Sequence, residues 1–129
     1  MTKFIGPEIL VNLSDKDFFN KISNLNNLDE ILPPYVKKSV SDKDYCTIEI
    51  EGYPKIKIYI KEKEPYKKVI FSSKENPISF SLICFITPNN QNCQARLEIH
   101  ATMNVIMKKM IEKPIKKFLE ILSQGITKI

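Results

Sequence analysis

Cys93-Gln94-Ala95-Arg96-Leu97-Glu98-Ile99-His100-Ala101-Thr102-Met103 decides the fold, because the chain changes its period immediately after it. Apolar side chains stand at every second position: Cys93, Ala95, Leu97, Ile99, Ala101 and Met103. Gln94, Arg96, Glu98, His100 and Thr102 alternate with them, the pattern of a strand with one face in a core and the other in water. From Val105 the spacing lengthens to about 3.6 residues. Ile106, Met107, Met110, Ile111, Ile115, Phe118, Ile121 and Leu122 then fall along one stripe, which predicts a long amphipathic helix. A helix laid against a curved antiparallel sheet encloses a space, and that space is the natural place for a ligand.

Upstream, the same two-residue period recurs. Cys46, Ile48 and Ile50 form one inner face, Ile56, Ile58 and Ile60 the next, and Val69, Phe71 and Ser73 a third. Ile78, Phe80, Leu82, Cys84 and Ile86 precede the strand that ends at Met103. Gly52-Tyr53-Pro54, Glu62–Lys67, Asn76-Pro77 and Pro88-Asn89-Asn90 supply turns between them. Requiring apolar faces to meet sets Ile50 against Ile56, Val69 against Ile60, Leu82 against Phe71 and Leu97 against Cys84. The same registers place Glu49 opposite Lys57 and Glu51 opposite Lys55, favourable cross-strand pairs. Residues 2–13 read as a first strand. Ser14 then caps a helix carrying Phe18, Phe19, Ile22 and Leu25, with Asp15 and Asp17 in its first turn. Leu28, Ile31 and Leu32 suggest a second short helix, stopped by Pro33-Pro34. Tyr35–Asp44 is polar and lysine-bearing, and reads as a connection. The expected fold is α+β, a curved antiparallel sheet of about six strands around a long C-terminal helix, with two short helices after the first strand.

These segments also carry a resemblance. Leu25-Asn26-Asn27-Leu28, Glu62-Lys63-Glu64-Pro65, Asn76-Pro77-Ile78-Ser79-Phe80 and Met110-Ile111-Glu112-Lys113-Pro114-Ile115 resemble the START/birch-allergen-like superfamily, also called SRPBCC or polyketide-cyclase-like. The likeness spans essentially the whole chain and is nearest to short, uncharacterised bacterial members. It implies a helix-grip fold with a cavity between sheet, long helix and short helix pair. Members bind lipids, sterols, quinones or polyketides; some are cyclases or dehydratases, and others bind proteins or ribosomes. No catalytic motif is common to the superfamily, so the resemblance transfers no catalytic residue.

A length of 129 residues suits a single domain, 1–129. No signal-like start and no apolar run near the roughly 20 residues of a membrane span are present, so the expected location is cytoplasmic. The net charge is +5, yet among 20 basic residues only Arg96 is an arginine. Nucleic-acid readers favour arginine and stacking aromatics, so lysine here reads as a solvating residue and no nucleic-acid partner is expected.

Catalytic parts are scarce. His100 is the sole histidine and falls on the outer face beside Arg96 and Glu98. Cys46, Cys84 and Cys93 form no CxxC pair and lie on inner phases, as small buried hydrophobes do. No carboxylate pair is predicted to face the cavity, and no nucleophile elbow, phosphate loop or dinucleotide fingerprint occurs. No metal, cofactor or catalytic residue is expected. The cavity-lining candidates are Phe71, Ser73, Phe80, Leu82, Leu97, Ile99, Met103, Met107, Met110 and Phe118. Pro114 predicts a kink near Met110–Pro114 that divides the helix in two. The inferred registers also align Tyr59, Ile70, Ile83 and Phe85 as an apolar stripe on the outer face, a candidate surface for a homodimer or a protein partner. The expected function is a non-enzymatic binding module for a small apolar or amphipathic, lipid-, quinone- or polyketide-like ligand. The alternatives are an interaction protein with a filled core and a cyclase- or dehydratase-like enzyme.

Overall fold

A computed structural model describes residues 1–42, 44–52, 54–73 and 79–129, with the backbone alone at 40–42. The elements in chain order are β1 (Thr2–Ile5), β2 (Ile9–Val11), α1 (Asp15–Ile22), a 3₁₀ helix (Leu25–Glu30), β3 (Lys37–Asp42), β4 (Tyr45–Glu49), β5 (Ile56–Glu64), β6 (Lys68–Ser73), β7 (Phe80–Asn89), β8 (Asn92–Ala101) and α2 (Val105–Ile126). Eight strands form one antiparallel sheet in the order β1-β8-β7-β6-β5-β4-β3, with β2 also paired to β8. The curved sheet and long C-terminal helix make the α+β helix-grip fold expected from the two periods. The turns at Tyr53 and Asn76-Pro77, and the inner position of Ile78, lie outside the described residues.

Two additional strands arise from local chemistry. The first expected strand is broken at Gly6-Pro7-Glu8, where proline has no N–H for a ladder. β1 and β2 therefore pair with successive halves of β8, Phe4 with Ile99 and Ile9 with Ala95. Gly6 keeps the junction tied, its N–H donating to the Leu97 carbonyl at 2.8 Å. The stretch read as a connection contains β3, an edge strand paired with β4. Lysines at its start suit an edge that must not recruit another strand, and they also hide the alternation that would have identified it.

The registers divide evenly. Leu82 faces Phe71 and Leu97 faces Cys84, as the apolar faces require. Ile56 instead faces Ile48, Ile60 faces Phe71, and Val69 faces Lys63. A bulge between Ile60 and Glu62 shifts the β5–β6 ladder, placing Tyr59 against Ser72 and Ile70 against Glu62. Lys57 lies opposite Thr47, while Lys55 reaches Glu49 at 3.4 Å. The expected pairings of Glu49 with Lys57 and of Glu51 with Lys55 are therefore displaced by two residues. Such a slip preserves the inward and outward faces, so apolar alternation does not detect it.

The concave face carries the core. Ser14 Oγ accepts the Asp17 N–H at 3.1 Å and starts α1, which buries Phe18, Phe19 and Ile22. The 3₁₀ helix, capped by Asn24, begins at the buried Leu25 rather than beyond Asn26-Asn27. α2 starts at Asn104, whose Oδ1 accepts the Met107 N–H at 2.8 Å. It runs through Pro114 as one helix, and the expected division into two segments is not seen. The carbonyl that loses its partner belongs to Met110, a residue 73% exposed, so water can serve it.

The two halves of α2 differ. Phe118, Leu119, Ile121, Leu122 and Ile126 are buried on the sheet and short helices. At about 1.5–3 kcal/mol for each side chain, this half is held by roughly 10 kcal/mol of apolar burial. Gly125 lets it approach the 3₁₀ segment so closely that a Cβ there would lie 1.8 Å from the Ile31 carbonyl oxygen. Val105 and Ile106, by contrast, are each 72% exposed. The helix is anchored at its C-terminal half and stands off the sheet at its beginning.

Candidate ligand cleft

The standing-off of α2 opens a cleft of about 490 Å³. One wall is the β4–β5 connection and its flanks: Ile50, Gly52, Pro54, Lys55 and Ile56. The inner sheet face contributes Phe80 and Ile99, and α2 contributes Met110, Ile111, Lys113, Pro114, Ile115 and Phe118. This volume falls within the roughly 300–1,000 Å³ of small-molecule sites. Among the described residues the lining is apolar except for Lys55, on the β4–β5 connection, and Lys113, on α2. Lys55 is engaged with Glu49, and both side chains are largely exposed. Among the described residues Lys113 has no carboxylate within ion-pair distance.

A second, smaller void of about 40 Å³ is lined among others by Ile58, Phe71, Leu82, Leu97, Phe118 and Leu122, with Lys21, Asn24 and Asn27 at its polar side. Phe118 borders both spaces.

The expected lining residues are thus distributed over several places. Phe80, Ile99, Met110 and Phe118 line the cleft, while Phe71, Leu82, Leu97 and Phe118 surround the void. Ser73, Met103 and Met107 border neither space. The Ser73 hydroxyl accepts the Phe80 N–H at 3.0 Å, which bridges the ends of β6 and β7 instead of facing a ligand. Met103 packs on the edge of the core, and Met107 is half-buried on the helix. Ile50, Ile56, Ile111 and Ile115 were legible as apolar positions in their elements but not as parts of one cleft. Gly52, Pro54 and Lys55 carried only a turn signal.

The titratable groups belong mainly to another place, the outer face of β8. Glu98 is only 8% exposed although its neighbours alternate toward water. Arg96 Nε donates to Glu98 Oε2 at 2.9 Å, and His100 Nε2 lies 2.9 Å from Oε1. Arg96 Nη1 continues to Glu8 at 3.0 Å, and its guanidinium lies 5.1 Å from the Phe85 ring centroid. The hydrogen bond with His100, reinforced by Arg96, holds the Glu98 carboxyl below its ordinary value. This network fastens β8 to the segment between β1 and β2; it lies across the sheet from the cleft.

Burial pushes the Cys46 and Cys93 thiols each up to about 11, and raises that of Cys84 further in the same direction. All three are buried and free, so they remain protonated and weakly nucleophilic near neutral pH. Among the described residues no group of histidine, cysteine and carboxylate side chains is arranged to hold a metal. No helix there is long and apolar enough to cross a membrane.

The outer apolar stripe also changes. Ile70 and Ile83 are direct cross-strand neighbours, whereas Tyr59 lies one row away, opposite Ser72. Phe85 faces Arg96. Ile83 is 8% exposed, and Ile5, 63% exposed, reaches the same row through Glu98.

No family model matches the chain, and no curated protein matches it in sequence. Solved structures do match its shape. XoxI from Bacillus cereus superposes with a TM-score of 0.74 at 10% identity, over 98% of this chain and 94% of that one. Truncated norcoclaurine synthase from Thalictrum flavum gives 0.71 at 11% identity, over 98% and 92%. CalU16 from Micromonospora echinospora gives 0.60 at 12% identity, over 98% and 76%. At such identities the likeness is one of architecture: the chain is similar to these three proteins in its helix-grip fold.

Proposed function

We propose that this protein is a non-enzymatic binding module for a small apolar or amphipathic molecule, lipid-, quinone- or polyketide-like, held between the sheet and α2. The observation that carries this reading is the cleft of about 490 Å³ with an apolar lining drawn from three separate elements. Such a space would collapse if burial of its own walls were the only demand, since exposed Met110 and half-buried Ile111 and Ile115 gain by closing it. The fold alone does not separate holding a molecule from transforming it, because norcoclaurine synthase, an enzyme by its name, is built on the same architecture. The lining here presents no carboxylate, histidine or cysteine among the described residues, which favours holding a molecule over transforming it.

Nile red titration tests the cleft, with Ile111→Trp as the variant that fills it. Saturable fluorescence in the native protein, lost in a variant of unchanged circular dichroism, is the expected result. Native mass spectrometry of protein from its own host should then show a co-purified small molecule. A native protein that binds no apolar probe and carries nothing through repeated preparations sinks the proposal.

A second reading, self-association through the outer sheet face, draws on Ile5, an exposed apolar residue in the same cross-strand row as Ile70 and Ile83 and separated from Ile83 by Glu98.

A further inference from the structure

We propose that the cleft selects an amphiphile with an anionic head, a free long-chain carboxylate, whose head sits at the mouth between Lys113 and Lys55 and whose tail runs toward Phe118. This inference rests on the binding reading above. Three observations lead to it. Among the described residues, the only ionised side chains lining the cleft are these two lysines, one on α2 and one on the β4–β5 connection. They flank an otherwise apolar interior, the arrangement that fits a molecule charged at one end only. A cleft whose walls carry one sign of charge beside low-dielectric surface concentrates counter-ions of the opposite sign.

The balance of partners points the same way. Lys113 has no carboxylate partner among the described residues. Lys55 meets Glu49 at 3.4 Å in an exposed pair, the kind that contributes little and is readily exchanged. Glu112, next to Lys113 in sequence, is already engaged by Lys116 at 3.0 Å. Lys108, Lys109 and Lys117 also lie on α2, though none of them lines the cleft. Phe118 lines the cleft from the buried half of α2 and offers the tail an aromatic contact.

Displacement of Nile red by dodecanoate and by dodecan-1-ol, which share a chain and differ in charge, tests the inference. The native protein should prefer dodecanoate by roughly two- to fivefold, the range expected for an exposed charge pair. Added salt should reduce that preference. The doubly substituted Lys55→Met, Lys113→Met protein should lose that preference and bind both compounds alike. Both lysines are exposed at the mouth, so the fold should survive their replacement. Equal binding of the two compounds by the native protein overturns the head-group assignment and leaves the cleft reading intact. Failure of both compounds, together with failure of Nile red, overturns the cleft reading itself. Sedimentation with phosphatidylglycerol vesicles that the double substitution abolishes, without any preference between the free amphiphiles, overturns the assignment in favour of a membrane surface.

Discussion

Gly125→Ala is the sharpest probe of how α2 is anchored. An alanine Cβ built on this backbone would lie 1.8 Å from the Ile31 carbonyl oxygen, 2.7 Å from its carbon and 2.8 Å from its Cγ2. Real Cβ atoms essentially never come within 3.0 Å of another heavy atom, and two of the three obstacles are backbone. A rotamer change therefore cannot relieve the clash, and either the helix or the segment after the 3₁₀ turn must move by more than an ångström. Overpacking of this kind costs about 1–3 kcal/mol, and rigid obstacles place it at the upper end or beyond. Alanine's better helix propensity offsets about 1 kcal/mol. The net expectation is a loss of about 2 kcal/mol. With a urea slope near about 2 kcal/mol per molar, the unfolding midpoint should fall by about 1 M. Gln124→Ala, on the exposed side of the same turn, should move it little, within about 0.5 kcal/mol. The reasoning fails if Gly125→Ala raises the midpoint, as it would for a helical glycine with open space beside it.

Two further outcomes are expected. Because the folded Glu98 carboxyl is held below its ordinary value of 4.5, its contribution to stability is present above that pH and is lost as acid protonates the folded group. Glu98→Gln should therefore be less stable than the native protein at pH 5, by about 1–2 kcal/mol, with the gap closing toward pH 2; a gap constant over that range in urea unfolding refutes the assignment. If the outer face self-associates, Ile83→Lys and the more exposed Ile5→Lys should each turn a dimer into a monomer by light scattering. An unchanged mass in native and variant proteins removes that reading.

The legible part of this fold was the part written in local periods. Ser14 at the start of α1, the onset of α2 at Val105 and the inner faces from Cys46 to Ala101 follow from side-chain alternation and capping chemistry. β3 was missed because a lysine-rich edge strand need not alternate. The break between β1 and β2 was visible as Gly6-Pro7, but not the use of both pieces on one partner strand. Glu98 was legible as outward-facing but not as buried, since its cover comes from Arg96 and His100 on the same strand and from strands on either side.

By itself, then, the sequence determined which side chains point inward and that a strand gives way to a long helix at Val105, and hence the helix-grip arrangement, although β8 ends at Ala101 and not at Met103. Those properties depend on spacing along a few residues. Tertiary structure decided the registers of β4 to β6, because a slip of two residues leaves every face unchanged and only the bulge after Ile60 and the long connection after Glu49 choose among them. It also decided the cleft. Burial of Phe118 to Ile126, with the close approach at Gly125, fixes one half of α2, and the other half takes whatever separation that anchor leaves above Ile56, Phe80 and Ile99. A gap between residues far apart in the chain depends on where the packed half settles, and no local pattern records it.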